Sequence, residues 1–453
     1  MPILQSTADR VLAAKHGEAA YRIVERLTDA GYDTWWVGGT VREMLQGKVP
    51  EDIDIATAAT PKQVASVFKD TDLVGSEFGS IRVAMSTEVF ELTTFREDDE
   101  ASDGRHPESV IFGSRQADAK RRDFTVNAIY WHPISQELYD PFDGQGDLKE
   151  RLIRFIGDPG IRIKHDVLRM LRAVRFRALL DGQFDPQTYR ALQNYASSIE
   201  ALSGTRILEE IEKILLGPRP ARAFEDLWET RILQYALPEL YACKGVAQPA
   251  DYHHEGDVWE HMMLCLSKFR SDDGIDVRLA ALFHDCGKAE TFSRKERIRF
   301  DHHAQVSAKL ASDALGRLQT TKKTREKIAW LIEHHMMMGS FISLGDTRKG
   351  HWYFHPWFPE LLQLFWLDIA GTDPADFRLY DDIVKDYNGF LDAHPRPEKP
   401  LLTGDEVMKL LGLRPGEEVG KVLSALHEAQ IRRQITTKKD ARDFLLNGGP
   451  GGI

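Results

Sequence analysis

The chain has 453 residues, 42% of them hydrophobic and 28% charged, with a formal net charge of −11. That length suits about two to four domains, and no run approaches the roughly twenty apolar residues of a membrane helix. The first residues, MPILQSTADRVLAAKHGEAA, lack the basic-then-apolar layout of a secretory signal. Cys243, Cys265 and Cys286 give neither a disulfide framework nor zinc spacing, so a cytoplasmic location is expected.

In chain order, an opening helix is expected at about 8–30. It is followed by strand Thr34–Val37, a glycine turn, a helix from Thr40 to Leu45, strand Ile53–Thr57, helix Pro61–Lys69 and strands near Ile81–Met85 and Val89–Phe95. That alternation reads as a small α/β palm. From about Gly160 the apolar residues recur at helical spacing. KGVAQPADYHHEGD opens a second helical block, AHPRPEKP (393–400) breaks it, and the closing GGPGGI is expected to be disordered. The expected fold class is α+β: a palm over 1–155, a helical neck and body over 156–245, a histidine-rich helical domain over 246–392 and a helical tail over 393–453.

The negative net charge does not exclude nucleic acid, because binding depends on where the cations sit. Arg151, Arg154, Arg162, Lys164, Arg169, Arg172, Arg175 and Arg177 crowd one segment against Asp158 and Asp166. Further basic clusters are Lys322-Lys323-Thr324-Arg325 and Arg432-Arg433 with Lys438-Lys439. RNA binding should be strongly salt-dependent.

The sharpest local feature is WWVGGTVREMLQGKVPEDIDIAT. In a strand, Asp52 and Asp54 project from one face, and two carboxylates held that close favour a cation between them. Mg2+ commonly bridges such carboxylates to substrate phosphates. Gly38 and Gly39 allow close backbone approach, and the helix start that follows is a seat for a triphosphate.

The run Gly38, Gly39, Val41, Arg42, Leu45, Gly47, Asp52 and Asp54 resembles the opening motif of the class II nucleotidyltransferases. That family comprises bacterial CCA-adding enzymes (tRNA nucleotidyltransferases) and bacterial poly(A) polymerases. The resemblance implies Asp52 and Asp54 as catalytic Mg2+ ligands, with Glu91 in ELTTFRE as a possible third acid or a plain strand glutamate. DGRHPESVIF, with Asp103 and Arg105, looks like the family's flexible loop. Arg121, Arg122, Asp123, Phe124, Thr125, Asn127 and Ala128 match its second motif. Arginines there suit phosphate and a carboxylate beside an amide suits a ribose 2′-hydroxyl, whereas an N-capped helix is the plain alternative.

In HDVLRMLRAVRF, Asp166 and Arg169 stand at i and i+3 on one expected helix face. An aspartate acceptor with an arginine donor can read a Watson–Crick edge, and an ordinary ion pair is the alternative. This is similar to the family's E-D-x-x-R amino-acid template, with Arg172 and Arg175 as nearby phosphate or RNA contacts, although His165 stands where the family has glutamate. LVGSEFGSIRV (Gly75, Gly79) looks more like the CCA-adding version than the poly(A) polymerase version, and the flexible-loop motif argues against a CC-only enzyme. The implied activity is addition of CCA to the tRNA 3′ end from CTP and ATP. An A-adding specialist or a poly(A) polymerase stands as the alternative.

A second constellation runs through HHEGDVWEHMML, LAALFHDCGK, FDHHAQVSAKLA, WLIEHHMMM and LFWLDIAGTD. Histidines and aspartates spread over successive helices suit a divalent metal. The set resembles the HD phosphohydrolase superfamily, which implies His261, His284, Asp285 and Asp368 as ligands of a transition metal or Mg2+. His303 and His334 or His335 would hold a second ion or meet the scissile phosphate, and Lys288 would be a phosphate contact or a surface lysine. A hydrolase with a non-catalytic RNA-binding palm is the remaining alternative. The oligomeric state is not legible.

Overall fold

A computed structural model of the chain describes residues 2–72, 79–97, 111–249, 253–294, 297–393, 400–431 and 434–446. The loop carrying Asp103 and Arg105, Gly75, the pair Arg432-Arg433 and the GGPGGI segment lie outside the described residues. The fold is α+β and divides into two compact units, residues 1–241 with 317–319, and 242–316 with 320–453.

The first unit opens with two helices where one was expected, α1 (Pro2–Ala13) and α2 (Lys15–Asp29). Ala14 between them is extended, and the Val11 carbonyl comes so close to Gly17 that a β-carbon there would lie 1.8 Å from its oxygen. Only glycine allows that reversal. It lets Leu4, Ala8 and Val11 share one core with Ile23, Val24 and Leu27.

That core lies on one face of a seven-stranded mixed sheet. Its strands are β1 (Thr34–Val37), β2 (Ile55–Thr57), β3 (Thr71–Asp72), β4 (Ser80–Met85), β5 (Glu88–Thr94), β8 (Tyr130–Trp131) and β9 (Leu138–Tyr139). They lie in the order β3-β4-β5-β2-β1-β8-β9, with β2 and β5 parallel and the other pairs antiparallel. A two-stranded ribbon, β6 (Arg96–Glu97) with β7 (Ile111–Phe112), stands apart.

All four residues of β1 are buried, because both faces of the sheet are covered. Trp36 enters the α1–α2 core, while Trp35 and Val37 meet Phe95, Ala119 and Tyr130 opposite. Helix α3 (Gly39–Leu45) follows the glycine turn, and α4 (Pro61–Val67) starts on a Thr60–Gln63 capping box with proline in its first turn. Helix α5 (Arg115–Arg121) is capped by Ser114. Beyond the sheet lie α6 (Gly144–Lys149), β10 (Leu152–Ile153), α7 (Pro159–His165), α8 (Arg169–Leu180), β11 (Gln183–Phe184), α9 (Pro186–Asn194) and α10 (Gly204–Leu215).

The second unit is mainly helical. Helix Val258–Ser267 begins on an Asp257–Glu260 capping box and packs against helices Ile275–Phe283 and Phe358–Ala370, both of which also pack against Lys322–His334. Its tail helices Gly404–Leu411, Glu417–Ile431 and Lys438–Leu446 bury Leu402, Val407, Val419, Leu426, Ile435 and Ala441 together. No described helix is long and apolar enough to cross a membrane.

One buried carboxylate ties the palm together. Asp118 is fully buried and accepts from Arg121 (2.8 Å), Arg122 (3.1 Å) and the Tyr130 hydroxyl (2.7 Å). Burial pushes its carboxyl up, but Arg122, Arg121 and Tyr130 outweigh that and hold it below the usual range. Its folded pKa being lowered, the stability it contributes is present at neutral pH and is lost as pH falls through the carboxylate range. Asp118→Ala leaves two guanidiniums uncompensated. A loss of about 3 kcal/mol is expected in urea unfolding of the intact chain at pH 7, shrinking as the pH is lowered.

Candidate functional site: an arginine-lined cleft and a histidine–aspartate centre

The cleft is built on the turn between β1 and α3. Gly38 has φ +64°, and a β-carbon there would lie 3.4 Å from Arg122 Nη1 and 3.6 Å from Asp54 Oδ2. One on Gly39 would lie 3.2 Å from the same carboxylate oxygen. The two glycines therefore make room for Asp54 rather than for chain flexibility alone.

Asp52 and Asp54 precede the strand instead of lying in it, since β2 begins at Ile55. Alternation persists: Ile53 and Ile55 are buried, and both aspartates are exposed. The segment is held by Thr40, whose buried hydroxyl accepts the Asp54 N–H (2.7 Å) and donates to the Asp52 carbonyl (3.3 Å). Desolvation raises the Asp54 carboxyl. Arg122, the Gly39 N–H and Arg42 oppose this, and the Asp52 charge adds to it. The α3 N-terminus is thus already engaged by Asp54, a departure from the expectation of free N–H groups. Asp54 and Glu91 both line the cleft, and hard carboxylate oxygens of this kind fit Mg2+.

Within RRDFTVNA, Arg121 ends α5, Arg122 and Phe124 are extended, and Thr125–Asn127 makes a single 3₁₀ turn, so no N-capped α-helix starts there. Asp123 accepts from the Asn127 amide (3.0 Å), from the Phe124 N–H (2.8 Å) and from Arg172 on α8 (Nη2, 2.6 Å). Asn127 in turn accepts from Arg42. Arg42 is buried, its Nε has no hydrogen-bond partner among the described residues, and desolvation lowers its pKa. A buried cation left short of partners is costly, and an anion in the cleft would relieve it.

The expected helical pair Asp166–Arg169 does not form. Asp166 is extended (φ −154°) and ends α7, and its carboxylate accepts the Leu168 N–H (3.2 Å) and Arg206 (3.1 Å). Aspartate competes for nearby backbone in this way and so favours helix ends. Arg169 begins α8 and donates to the Arg162 (3.0 Å) and Arg121 (3.2 Å) carbonyls. His165 closes α7 and is half-buried. Arg175 is held by Glu210 of α10 (2.7 Å). Arg42, Arg172 and Arg175 lie 5.1, 5.4 and 4.4 Å from the centre of the Phe176 ring.

Together these residues enclose about 570 Å³, lined by six arginines against four carboxylates. Gly38, Gly39, Arg42, Asp54, Arg122, Asp123, Asn127, Asp166, Arg169, Arg172 and Arg175 all line it, and Asp52 lies two residues outside. Sequence reasoning missed Asp118 and Glu210. The first was legible from its spacing to Arg121 and Arg122. The second, 35 residues from Arg175, had no local signal.

In the second unit, His261 Nε2 lies 3.2 Å from His284 Nε2, 3.1 Å from Asp368 and 3.6 Å from Asp285 Oδ2. The other oxygen of Asp285 faces His303 (3.4 Å) and His335 (3.8 Å). Asp285 Oδ1 and His303 Nε2 are buried with no hydrogen-bond partner among the described residues. Each histidine is steered from behind through Nδ1, by the carbonyls of Gly371 (His261), Ala281 (His284), Phe300 (His303) and Ile332 (His335). That leaves every Nε2 lone pair facing inward, the arrangement metal-binding imidazoles use. Burial lowers the His284 pKa, but Asp285 and Asp368 outweigh it and raise the ring to about 10, so the carboxylates draw positive charge to this point and a cation binding there would displace the ring proton. The donor set therefore fits one divalent cation, and Asp285 extends it towards a second.

His334 does not join the set. Its Nδ1 faces the Trp330 carbonyl (2.7 Å) and its ring lies against Trp330. Lys288, read as a phosphate contact or a surface residue, is buried between Asp285 (2.7 Å) and Gln248 (2.8 Å). Glu255, also missed, accepts from His253 (2.6 Å) and faces His261 Nδ1 (3.2 Å). Titration of the intact chain with Co2+, followed by its visible absorption, is expected to show imidazole-ligated metal. His284→Ala should weaken that uptake by at least about a hundredfold.

Residues 34–154 match the poly A polymerase head domain, 183–243 the probable RNA and SrmB-binding site of polymerase A, and 251–347 the HD domain. A CC-adding tRNA nucleotidyltransferase of Thermus thermophilus is 32% identical over 441 residues, covering 91% of this chain and 93% of that one. The CCA-adding enzyme of Pediococcus pentosaceus is 39% identical over 219 residues, 48% of this chain, so the match spans only 55% of that relative's length. The crystal structure of the Bacillus stearothermophilus CCA-adding enzyme in complex with CTP superposes with a TM-score of 0.70 at 26% identity, covering 96% of this chain and 98% of that one. Matched over nine-tenths of its length, the chain belongs to the family of bacterial tRNA nucleotidyltransferases, with a head domain of the poly A polymerase type and an HD domain.

Proposed function

We propose that this protein adds CCA to the 3′ end of tRNA from CTP and ATP without a nucleic-acid template. The observation that carries this reading is the single cleft in which Asp54 faces six arginines, with Asp123 and Asn127 between them. Asp52 and Asp54, with Glu91 beside them, would hold Mg2+, which supplies charge neutralisation between the attacking 3′-hydroxyl and the triphosphate. Arg42 and Arg122 would take phosphate oxygens, and Asp123 with Asn127 would meet the ribose. The α8 arginines and Asp166 would face the base, and a donor–acceptor set of this kind can meet the Watson–Crick edges of both cytosine and adenine.

A partial adder is the second reading, favoured by the CC-adding Thermus thermophilus relative. Staged substrates separate the two: tRNA lacking CCA, tRNA ending in C, and tRNA ending in CC, each with labelled CTP or ATP. Full CCA addition uses CTP on the first two and ATP on the third, whereas a CC-adding specialist uses CTP on the first two and ATP on none, and an A-adding specialist uses ATP on the third and CTP on none. Oligo(A) should stay unextended. Asp54→Asn is expected to lower kcat by roughly 10² to 10⁴, the loss of several kcal/mol of metal-borne charge stabilisation, with tRNA affinity nearly unchanged.

We also propose that the histidine–aspartate centre hydrolyses phosphate esters with a bound divalent transition metal or Mg2+. What supports this is the convergence of four inward Nε2 atoms and two carboxylates. Lys288 would steady Asp285 and add positive charge near a phosphate. Activity towards phosphomonoesters or 2′,3′-cyclic phosphodiesters should vanish in His284→Ala while CTP incorporation continues. Equal hydrolysis by both proteins would end this reading.

A further inference from the structure

Three of the six arginines that line the first unit's cleft converge on one uncharged ring. The guanidinium carbons of Arg42, Arg172 and Arg175 lie over Phe176, at 5.1, 5.4 and 4.4 Å from its centre. Arg172 stands one turn before Phe176 on α8 and Arg175 directly before it, while Arg42 reaches across from α3 of the palm. Phe176 is 6% exposed and lines the cleft, so the ring forms part of the wall itself. Its plane is fixed by Phe124, 5.6 Å away and 69° from parallel, and Phe124 packs in turn on Phe155.

Like charges gathered this closely need compensation. Each guanidinium has a partner of its own: Asp123 for Arg172, Glu210 for Arg175 and the Asn127 amide oxygen for Arg42. Phe176 is within reach of all three. A carboxylate in its place would repel the triphosphate that the cleft is read to hold. An aromatic face attracts cations through its quadrupole and carries no net charge, so it gathers the arginines without repelling an incoming anion. Arg42 depends on it most, being buried with an Nε that has no hydrogen-bond partner among the described residues. A leucine would fill much of the same space but offer no such face.

We propose that Phe176 is a positioning residue for nucleotide binding, its ring holding Arg42, Arg172 and Arg175 at the spacing that receives the incoming nucleoside triphosphate. This rests on the nucleotidyl-transfer reading above and adds to it the group that sets the arginine spacing. Phe176 acts through the three guanidiniums and takes no part in bond making.

The test replaces Phe176 in the full chain with mono-, di- and trifluorinated phenylalanine, which keep the shape of the ring while draining charge from its face. CTP and ATP incorporation into truncated tRNA is followed, together with CTP binding by equilibrium dialysis in the presence of Mg2+. KM for both nucleotides should climb stepwise with fluorine content, reaching about tenfold at the trifluorinated ring, as expected when several cation–π contacts weaken together. The CTP dissociation constant should climb in parallel, and kcat should move less than KM. Phe176→Leu should match or exceed the trifluorinated protein, whereas KM for tRNA and the urea midpoint should not follow fluorine content. A nucleotide KM that is flat across the fluorinated series, or a loss confined to Phe176→Leu, makes Phe176 a packing residue and overturns the proposal while the transfer reading stands. A parent protein that incorporates neither nucleotide overturns both.

Discussion

The ion pair between Asp123 and Arg172, 2.6 Å apart, is the contact on which the cleft depends. Asp123 follows α5 at the edge of the palm, and Arg172 sits one turn inside α8, 49 residues further on. Joining them lays the arginine face of α8 over the glycine turn and Asp54. Burial disfavours the Asp123 charge, yet Arg172, Asn127 and the Phe124 N–H outweigh it and hold the carboxyl below its usual range. The further hydrogen bonds that Asp123 accepts from Asn127 and the Phe124 N–H help to offset the desolvation of the pair. Asn127 passes the constraint on to Arg42, and Glu210 repeats the device for Arg175. The cleft is thus a set of arginines oriented by carboxylates that are themselves buried.

This arrangement reconciles an acidic chain with an anionic substrate. Most of the acid is spread over the surface, while six arginines converge on one volume. Guanidiniums crowded near Phe176 repel one another, and each is steadied by a carboxylate or by carbonyls of the motif turn. A triphosphate entering there would exchange its water for donors already in place, so little reorganisation is needed when charge shifts. The histidine–aspartate centre follows a parallel logic with softer donors: backbone carbonyls fix each Nδ1 and leave Nε2 aimed inward.

Much of this was legible in the chain, because local spacing carries it. Gly38 and Gly39, the alternation from Asp52 to Ile55, and the RRDFTVNA run each act within one turn or strand. The clustering of Arg169, Arg172 and Arg175 on one helix followed from period alone. What failed to show was tertiary. Asp166 reads as a helical partner of Arg169, and only the structure reveals that it ends α7 and pairs with Arg206 of α10. Gly17 gave no sign that the opening helix breaks at Ala14, since the cause is a carbonyl of the preceding helix. Of the pair His334–His335, sequence could not say which one turns inward, because a 3₁₀ segment begins between them and shifts the facing.

The account's central claim is that the Asp123–Arg172 pair positions the α8 arginines so that side chains alone select the nucleotide. The direct measurement is kcat/KM for CTP, ATP, UTP and GTP on truncated tRNA with Arg172→Lys, which keeps the charge but loses the two-pronged grip on Asp123. Collapse of the preference for CTP and ATP over UTP and GTP, with the Mg2+ dependence unaltered, is the predicted result. A uniform fall for all four nucleotides, with selectivity preserved, would contradict it.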